Sequence, residues 1–291
     1  MRTIARRIQV LAAGGVVAAL AAVFAVRLMG ETIPGDVMID PKAVDLSALD
    51  RVPAATWQEL ARKRIYFGHQ SVGHDLIAGI TDIRGSRPQI QLDIVETADL
   101  AGLPGPAFAH SGVGSNTDPE SKLRDFVKHV EAAGPVGVDI AFLKFCYVDV
   151  TAATPVEELF ATYKEAMARI ERDFPRTTLV HVSVPLTLPQ SGLKARVKKL
   201  LGRQPEGYED NRARAAFNAM LRTEYAGKRP FFDLAAAEST LPDGSAVRVE
   251  IGSDTIQCLA KGYTSDGGHL NETGRLVVAR EALLVLAELA R

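Results

Sequence analysis

The sequence predicts an α/β fold, a three-layer α/β/α sandwich with a mainly parallel sheet between two layers of helices. Strand-like and helix-like segments alternate from residue 51 onwards, which is the pattern of a parallel sheet with helices on both faces. The segment TTLVHVSVPL, residues 177–186, is almost continuously apolar, as expected for a strand covered on both sides. Hydrophobic residues make up 47% of the 291-residue chain and charged residues 24%, so the chain can bury a full core.

Charge and cysteine content narrow the classes of function. The chain has 34 Lys and Arg residues against 35 Asp and Glu, and this near balance gives no support to a nucleic-acid partner. Its two cysteines, Cys146 and Cys258, are too few for a disulfide scaffold. They are either two free buried thiols or a single bond formed in an oxidising compartment.

Residues 1–30 have the pattern of an export signal. Three arginines precede an uncharged run over residues 8–26, and a positive flank followed by an apolar stretch is typical of signal peptides and membrane anchors. We therefore expect an N-terminal membrane or signal helix, with the rest of the chain outside the cytoplasm. The protein is then anchored and faces the periplasm or cell exterior, or is secreted if the segment is cleaved. A buried helix is the remaining alternative.

Residues 31–50 contain two prolines and scattered acids, which predicts a linker before a folded domain over residues 51–291. In the first half of that domain we expect, in order, a strand RIYF at 64–67, a helix over 71–81, a strand IQLDIVETA at 90–98, an irregular loop over 99–118, a helix opened by Asp118 and Pro119, and a strand VDIAFLKFCYVDV at 138–150. The helix start is predicted because aspartate caps a helix and proline suits its first position.

The second half of the domain continues the alternation. A helix is expected after Pro155, because Leu159, Tyr163, Met167 and Ile170 recur at the three-to-four spacing of one buried face. After the strand at 177–186 we expect an insertion over 189–208, a helix over 210–225, the segment PFFDLA at 230–235 and a closing helix over 272–290.

The insertion contains a basic amphipathic segment, LKARVKKLLGR at 193–203, with apolar residues on one side of a helix at Leu193, Val197, Leu200 and Leu201. One interpretation is a solvated surface helix that covers the sheet. The other is a lid over the binding crevice or a contact with anionic membrane lipid.

Ser71 is the first candidate for chemistry. Ligands of parallel sheets bind outside the carboxyl ends of the strands, so one crevice should form at the turns after Phe67, Ala98, Phe145 and Leu186. Ser71 lies in the first of these turns, in the stretch RIYFGHQSVGHDLI at 64–77. A serine at a strand-to-helix junction is either ordinary turn chemistry or a nucleophile presented for attack.

Asp266 and His269 are the second candidate, in the stretch YTSDGGHLNETGR at 263–275 just before the closing helix. A neutral histidine can take the proton of a serine hydroxyl, and an acceptor on its other ring nitrogen sets the tautomer and stabilises the imidazolium. An aspartate three residues earlier on a glycine-rich turn can fold back into that position. The alternative is a simple turn, with Asn271 or Thr273 capping the helix.

Together the two stretches resemble the SGNH (GDSL-type) hydrolases. That family has Gly-Asp-Ser near the start of its domain, where this chain has His69-Gln70-Ser71, and Asp-x-x-His near the end, where it has Asp266 to His269. The resemblance covers roughly residues 60–291 and implies an α/β/α sandwich. It also implies that Ser71 is the nucleophile, His269 the general base and Asp266 the residue that orients His269.

The resemblance further implies an oxyanion hole made by a glycine N–H and an asparagine side chain. Gly114, in the loop HSGVGSNTDP, is the predicted backbone donor. The Gly-x-Asn-Asp motif of the family is absent, since CYVD places Val148 where the asparagine would be. Asn116 and the Ser71 N–H are the predicted substitutes. The departure leaves three possibilities: a relocated hole, a weak enzyme or a non-catalytic relative.

Several polar residues near these turns have other candidate roles. His69 and Gln70 are expected to line the substrate pocket, and Asp149 either contacts substrate or caps the next helical segment. Zinc accepts imidazole ligands, but histidines five apart that flank a turn rarely converge, and no acid or cysteine pattern accompanies His69, His74 and His110. We therefore predict no metal site and no organic cofactor.

The predicted function is a serine esterase that cleaves an acyl or acetyl ester on a glycan or lipid outside the cytoplasm. Its partners would be a small-molecule, glycan or lipid ester and, through the N-terminal segment, the membrane. Two alternatives are an acyltransferase that uses the same site and a non-catalytic binding module of the cell envelope. The sequence does not determine the oligomeric state.

Overall fold

A computed structural model describes residues 39–134, 137–251 and 253–291. The predicted membrane or signal segment at 1–30 lies outside these residues. Within the described part of the chain, no helix is both long and apolar enough to span a bilayer.

The central sheet of the described chain has six parallel strands in the order β2-β3-β1-β4-β5-β6. They are β1 Arg64–His69, β2 Ile94–Glu96, β3 Ala107–Gly112, β4 Ile140–Leu143, β5 Thr178–Val182 and β6 Phe231–Phe232. A separate antiparallel hairpin consists of β7 Arg248–Ile251 and β8 Asp254–Gln257. The predicted mainly parallel sheet is confirmed.

Helices cover both faces of the sheet. They are α1 Ser47–Asp50, α2 Ala54–Leu60, α3 Val72–Ser86, α4 Pro119–Ala132, α5 Val156–Asp173, α6 Gly192–Leu200, α7 Tyr208–Tyr225, α8 Leu234–Ser239 and α9 Glu272–Glu288. One core joins α2, α3, α8 and α9 to the sheet, and the other joins α4, α5 and α7. Successive β1 side chains alternate between the cores, with Ile65 and Phe67 in the first and Tyr66 in the second. Both faces are therefore buried, which explains the near-continuous apolar strands.

The strand order turns at β1. The chain places β2 and β3 on one side of β1 and then crosses to place β4 on the other. A crevice opens beyond the carboxyl ends of the strands where such an order reverses. The residues that follow β1, from Gln70 onwards, therefore lie at the position where parallel sheets bind their ligands.

The strand β3 differs from the sequence prediction, which assigned these residues to a loop. Its sequence AFAHSG has small and polar residues, so it lacks the apolar run of a central strand. The polar groups are compatible with burial because they find partners: Ser111 Oγ lies 2.8 Å from Tyr66 Oη, and His110 Nδ1 lies 3.1 Å from His69 Nε2. The hairpin of β7 and β8 was also not predicted.

Residues 39–50 belong to the folded domain, although the sequence predicted a linker there. Thr273 Oγ1 donates a hydrogen bond of 2.7 Å to the Ile39 carbonyl, and Arg280 Nη1 donates one of 2.8 Å to the Asp45 carbonyl. Leu49 is fully buried in the first core. This part of the chain therefore packs against α9.

Candidate active site

Ser71 occupies a strained turn between β1 and α3. Its backbone has φ +52° and ψ −118°, the left-handed side of the map that favours glycine. Its hydroxyl makes no capping bond to α3, although the residue holds the N-cap position. Oγ is therefore not used by the helix backbone, and it lies at the sheet edge near the positive end of the helix dipole.

Relief of this strain is testable with two variants that both lack the hydroxyl. Ser71→Gly should have a free energy of unfolding higher than Ser71→Ala by about 1 kcal/mol, because glycine adopts positive φ without a Cβ clash. Urea unfolding of both variants measures the difference. Equal stabilities would show that the turn stores no strain.

The loop that carries Asp266 and His269 is held by its own backbone. Asp266 Oδ1 accepts hydrogen bonds of 2.8 Å from the N–H groups of both Gly268 and His269. Gly267 has φ +90°, which suits glycine and turns the chain back on itself. Thr264 and Leu270 form a bridge that closes the loop. The Asp-x-x-His spacing thus works as a local turn that places the carboxylate beside the imidazole.

The two loops meet at the sheet edge. Ser71 Oγ lies 2.7 Å from His269 Nε2, and His269 Nδ1 lies 2.7 Å from Asp266 Oδ2. The three side chains form one hydrogen-bonded triad. The hydrogen bond from His269 lowers the pKa of Asp266 to about 2, so the carboxylate stays ionised at neutral pH. An ionised partner favours the tautomer with the proton on Nδ1, which leaves Nε2 to accept the Ser71 proton.

Comparisons with known proteins do not assign the chain to a family. No family model and no curated protein sequence matches the chain. Similar solved structures include a candidate platelet activating factor from Streptococcus pneumonia, with 17% identity and TM-score 0.45 over 85% of this chain and 100% of that one. A candidate lipolytic protein of the G-D-S-L family from Desulfitobacterium hafniense has 10% identity and TM-score 0.45 over 77% and 99%. Phospholipase A1 from Streptomyces albidoflavus has 12% identity and a TM-score of 0.36, over 78% of this chain and 99% of that one.

Two contacts hold the triad loops together, and sequence reasoning missed both. Asp75, in the first turn of α3, accepts a 3.0 Å hydrogen bond from the Leu270 N–H. Tyr147 packs its ring edge-on to His269, with centroids 5.9 Å apart. A Cβ added at Gly268 would lie 2.8 Å from the Tyr147 hydroxyl, so the loop passes Tyr147 closely only because that residue is glycine. Burial raises the pKa of the Tyr147 phenol.

One of the three predicted oxyanion donors is already engaged by another residue. The Gly114 N–H donates to Asp125 Oδ2 at 2.8 Å, so it is not available to an oxyanion and that assignment is wrong. Among the described residues, the Ser71 N–H has no protein partner. Asn116 Oδ1 accepts from Lys122 Nζ at 2.9 Å. An ammonium only donates, so the amide oxygen faces Lys122, and the amide NH₂ has no acceptor in the part of the chain that the structure describes.

The two residues predicted to line the substrate pocket, His69 and Gln70, bond to other parts of the protein instead. His69 is fully buried, with Nε2 beside His110, and burial lowers its pKa to about 2, so it stays neutral. Gln70 Nε2 donates to the carbonyl oxygens of Val113 (2.9 Å) and Gly114 (2.5 Å). Gln70 therefore ties the Ser71 turn to the loop that carries Asn116, rather than lining a pocket.

Asp149 is buried, so the first of its two predicted roles, contact with substrate, is wrong. Its Oδ2 pairs with Lys122 Nζ at 2.5 Å and accepts from the Cys146 N–H at 2.6 Å. Its Oδ1 accepts from the Thr117 N–H at 2.9 Å. These bonds leave no free face for a ligand. The predicted cap of the next helical segment is not formed either, since α5 begins after Pro155 without a side-chain cap. Asp149 instead closes the short 3₁₀ turn Tyr147–Asp149, of which it is the last residue, and anchors the Asn116 loop.

A second buried lysine lies beneath the Ser71 turn. Lys144 Nζ donates a 2.7 Å hydrogen bond to the Gln70 carbonyl oxygen, and burial lowers its pKa. This carbonyl belongs to the same peptide group as the Ser71 N–H. A donor at the oxygen polarises the group and makes the N–H a stronger hydrogen-bond donor. Lys144 is therefore suited to support an anion bound at Ser71.

Some of these residues left a signal in the sequence and others did not. Lys144 stands inside the apolar run IAFLKFCYV, and a charge within a buried strand needs a partner. Lys122 lies on an amphipathic helix, where a lysine is normally exposed. Asp75 gives no signal either, because an acid in the first helical turn is common.

The predictions for cysteines and metals have different outcomes. Cys146 and Cys258 are both free and buried, which agrees with the first of the two alternatives for them. The described residues contain no group of three or more His, Cys, Asp or Glu side chains that could hold a metal ion. The absence of a cofactor stays a prediction.

Glu238 is a further buried acid, and it makes folding sensitive to pH. Its Oε1 accepts from the Leu186 N–H, its Oε2 has no partner in the described chain, and burial raises its pKa to about 8. The folded protein keeps this proton well above the ordinary pKa of 4.5. The stability that Glu238 contributes is then fully present below about pH 4.5 and is lost as pH rises towards about 8, by at most about 1.4 kcal/mol per pH unit.

Glu238→Gln should remove this pH dependence, because the amide keeps an acceptor for Leu186 and has no proton to lose. We expect the free energy of unfolding of the variant to fall less than that of wild type between about pH 5 and about pH 8. Urea unfolding at the two pH values makes the comparison. The same loss in both proteins would contradict the assignment.

Proposed function

We propose that this protein is a serine esterase, a divergent SGNH-type hydrolase that cleaves an acyl or acetyl ester on a glycan or lipid. The observation that carries the proposal is the continuous chain of hydrogen bonds from Ser71 through His269 to Asp266. Each of the three residues alone would have an ordinary structural explanation. Because they are hydrogen-bonded to one another where the strand order of the sheet reverses, they can supply a nucleophile, a base and an orienting carboxylate.

The chemistry follows from this geometry in two steps. Ser71 Oγ attacks the acyl carbon while its proton passes to His269 Nε2, and the leaving alcohol then takes that proton as its bond to the acyl carbon breaks. A water molecule next attacks the acyl-serine, giving one proton to His269, which returns it to Ser71 Oγ as the acid leaves. Asp266 accepts the Nδ1–H throughout and stabilises the imidazolium.

The negative oxygen formed in each step needs donors, and we assign these to the Ser71 N–H and the Asn116 amide. The first belongs to the peptide group that Lys144 polarises. The second has its oxygen held by Lys122, which directs the NH₂ away from the buried cation. Removing one oxyanion donor typically lowers the rate about 100- to 1,000-fold.

Asn116→Ala should therefore lower kcat about 100-fold with little change in KM. Asn116→Asp is the matched variant, because a carboxylate still accepts from Lys122 but has no N–H to donate. Both should be impaired and folded, as measured by ester hydrolysis kinetics and thermal unfolding. Full activity in Asn116→Asp would show that Asn116 only supports the loop and does not donate to the oxyanion.

Acyl transfer is a second candidate, favoured by the openness of the site. The side chains of His269 and Asp266 are 46% and 56% exposed, so an acceptor larger than water can reach His269. A sugar hydroxyl would then replace water in the second step. Supplying an activated acetyl ester with and without oligosaccharide separates the two, since a transferase forms product only with the sugar present.

A fluorophosphonate probe tests whether the site reacts at all. Labelling of wild type that is lost in Ser71→Ala supports the enzyme. Folded wild type that does not label would favour the third possibility, a binding module of the cell envelope. We propose an extracytoplasmic location for the domain, on the strength of the arginine-flanked apolar run at 1–30.

A further inference from the structure

The helix α6 presents an apolar stripe to solvent. Leu193, Val197, Leu200 and Leu201 are 70%, 47%, 68% and 66% exposed, and they are the exposed large hydrophobic residues of the described chain. With a rotation of about 100° per residue, Leu193, Val197 and Leu200 share one side of the helix, and Leu201 follows directly after its last residue. Ala195 lies on the opposite side and is buried. The helix therefore rests on the protein through a small residue and turns its large apolar side chains outwards.

The same segment is strongly basic. LKARVKKLLGR, at 193–203, contains five Lys and Arg residues and no acid. Lys194 is exposed, and Lys198 Nζ contacts Glu206 Oε1 at 2.8 Å at the end of the insertion. An apolar stripe bordered by cations is the composition of helices that lie in the interface of an anionic bilayer. A protein partner matched to the stripe alone would not need this charge.

The insertion leaves the fold directly beside the triad. The Leu188 N–H donates a 2.8 Å hydrogen bond to the Gly267 carbonyl, which lies between Asp266 and His269. The Gln190 N–H donates to the Glu206 carbonyl at 2.9 Å and closes the base of the insertion. The insertion that carries α6 therefore begins next to His269, so a membrane bound by α6 would lie close to the triad.

We propose that α6 docks the domain on an anionic lipid surface, with the apolar stripe inserted at the headgroup boundary. Three observations support the docking: the exposed apolar stripe, the positive charge of the segment and the position of the insertion beside the triad. Its consequence rests on the proposed function: the ester that reaches Ser71 is carried by a lipid or by a lipid-linked molecule, because docking holds the site against the bilayer.

An environment-sensitive dye at Leu200→Cys in the full chain tests the docking, since the native cysteines are both buried. With vesicles of equal parts phosphatidylglycerol and phosphatidylcholine we expect a blue shift, and little shift with phosphatidylcholine alone. About 1 M salt, which shortens the Debye length to about 3 Å, should reduce it. The matched control carries the dye at Lys128→Cys, an exposed position on α4, and should not shift.

The outcomes separate docking from catalysis. Equal behaviour of the two dye positions would overturn the proposal, and so would a vesicle-independent, concentration-dependent shift at Leu200, which would indicate a second copy of the chain. Changing Leu193, Leu200 and Leu201 to Ser should lower hydrolysis of a vesicle-borne ester at least about tenfold and leave a soluble ester unchanged. An equal loss on both esters would overturn the lipid-borne substrate. Wild type inactive on every ester refutes the proposed function, while the dye shift still decides docking.

Discussion

Replacing His269 by Gln is expected to lower kcat for a simple acyl ester by about 10⁴- to 10⁶-fold. Without the imidazole, the Ser71 hydroxyl has no base within hydrogen-bond reach and stays protonated at neutral pH. Ser71→Ala should lose activity to the same extent, since either change breaks the same proton transfer. Steady-state kinetics with a chromogenic acetate ester measure both.

The double variant separates this explanation from a general loss of structure. Residues that act as one unit are non-additive, so Ser71→Ala with His269→Gln should be no slower than either single variant. Both side chains lie at the edge of the fold, with His269 exposed, so the thermal unfolding midpoint should change little. Substantial activity in folded His269→Gln would refute the assigned base.

Asp149→Ala is expected to lower the free energy of unfolding by about 3–5 kcal/mol. The side chains of Lys122 and Asp149 are both 0% exposed, and removing the carboxylate leaves a buried ammonium without a counter-ion. The N–H groups of Cys146 and Thr117 also lose their acceptor. Denaturant unfolding gives the magnitude.

An exposed ion pair provides the control for this prediction. Glu59 Oε1 lies 2.8 Å from Lys63 Nζ on the protein surface, and Glu59→Ala should lower the free energy of unfolding far less than Asp149→Ala does. Asp149→Ala should also reduce kcat, because the loop that carries Asn116 loses its anchor at Thr117. A cost for Asp149→Ala as small as that for Glu59→Ala would show that the buried pair does not hold the site.

Part of the fold and site could be predicted from local sequence alone. The recurrence of Leu159, Tyr163, Met167 and Ile170 predicts the buried face of α5, and all four are buried. Asp266 and His269 are three residues apart on a glycine turn, so their contact needs no distant part of the chain. Local periodicity and short spacings are visible in sequence because their physical cause is also local.

Other features depend on pairings between distant segments. β3 lies inside the sheet, between β2 and β1, although AFAHSG looks like a loop, because Tyr66 and His69 from β1 satisfy its polar groups. The N–H of Gly114 donates to Asp125, and the Asp149 carboxylate pairs with the buried Lys122. Residue spacing along the chain reveals neither contact.

The sequence by itself determined the alternation of strands and helices, the turn that joins Asp266 to His269, and the basic apolar segment of the insertion. Only the tertiary structure decided that Ser71 meets His269 across 198 positions of chain, and which neighbouring donors remain free for chemistry. The reason is physical. Propensity and periodicity act over a few residues, whereas the burial and pairing of polar groups are set by the strand order of the whole sheet.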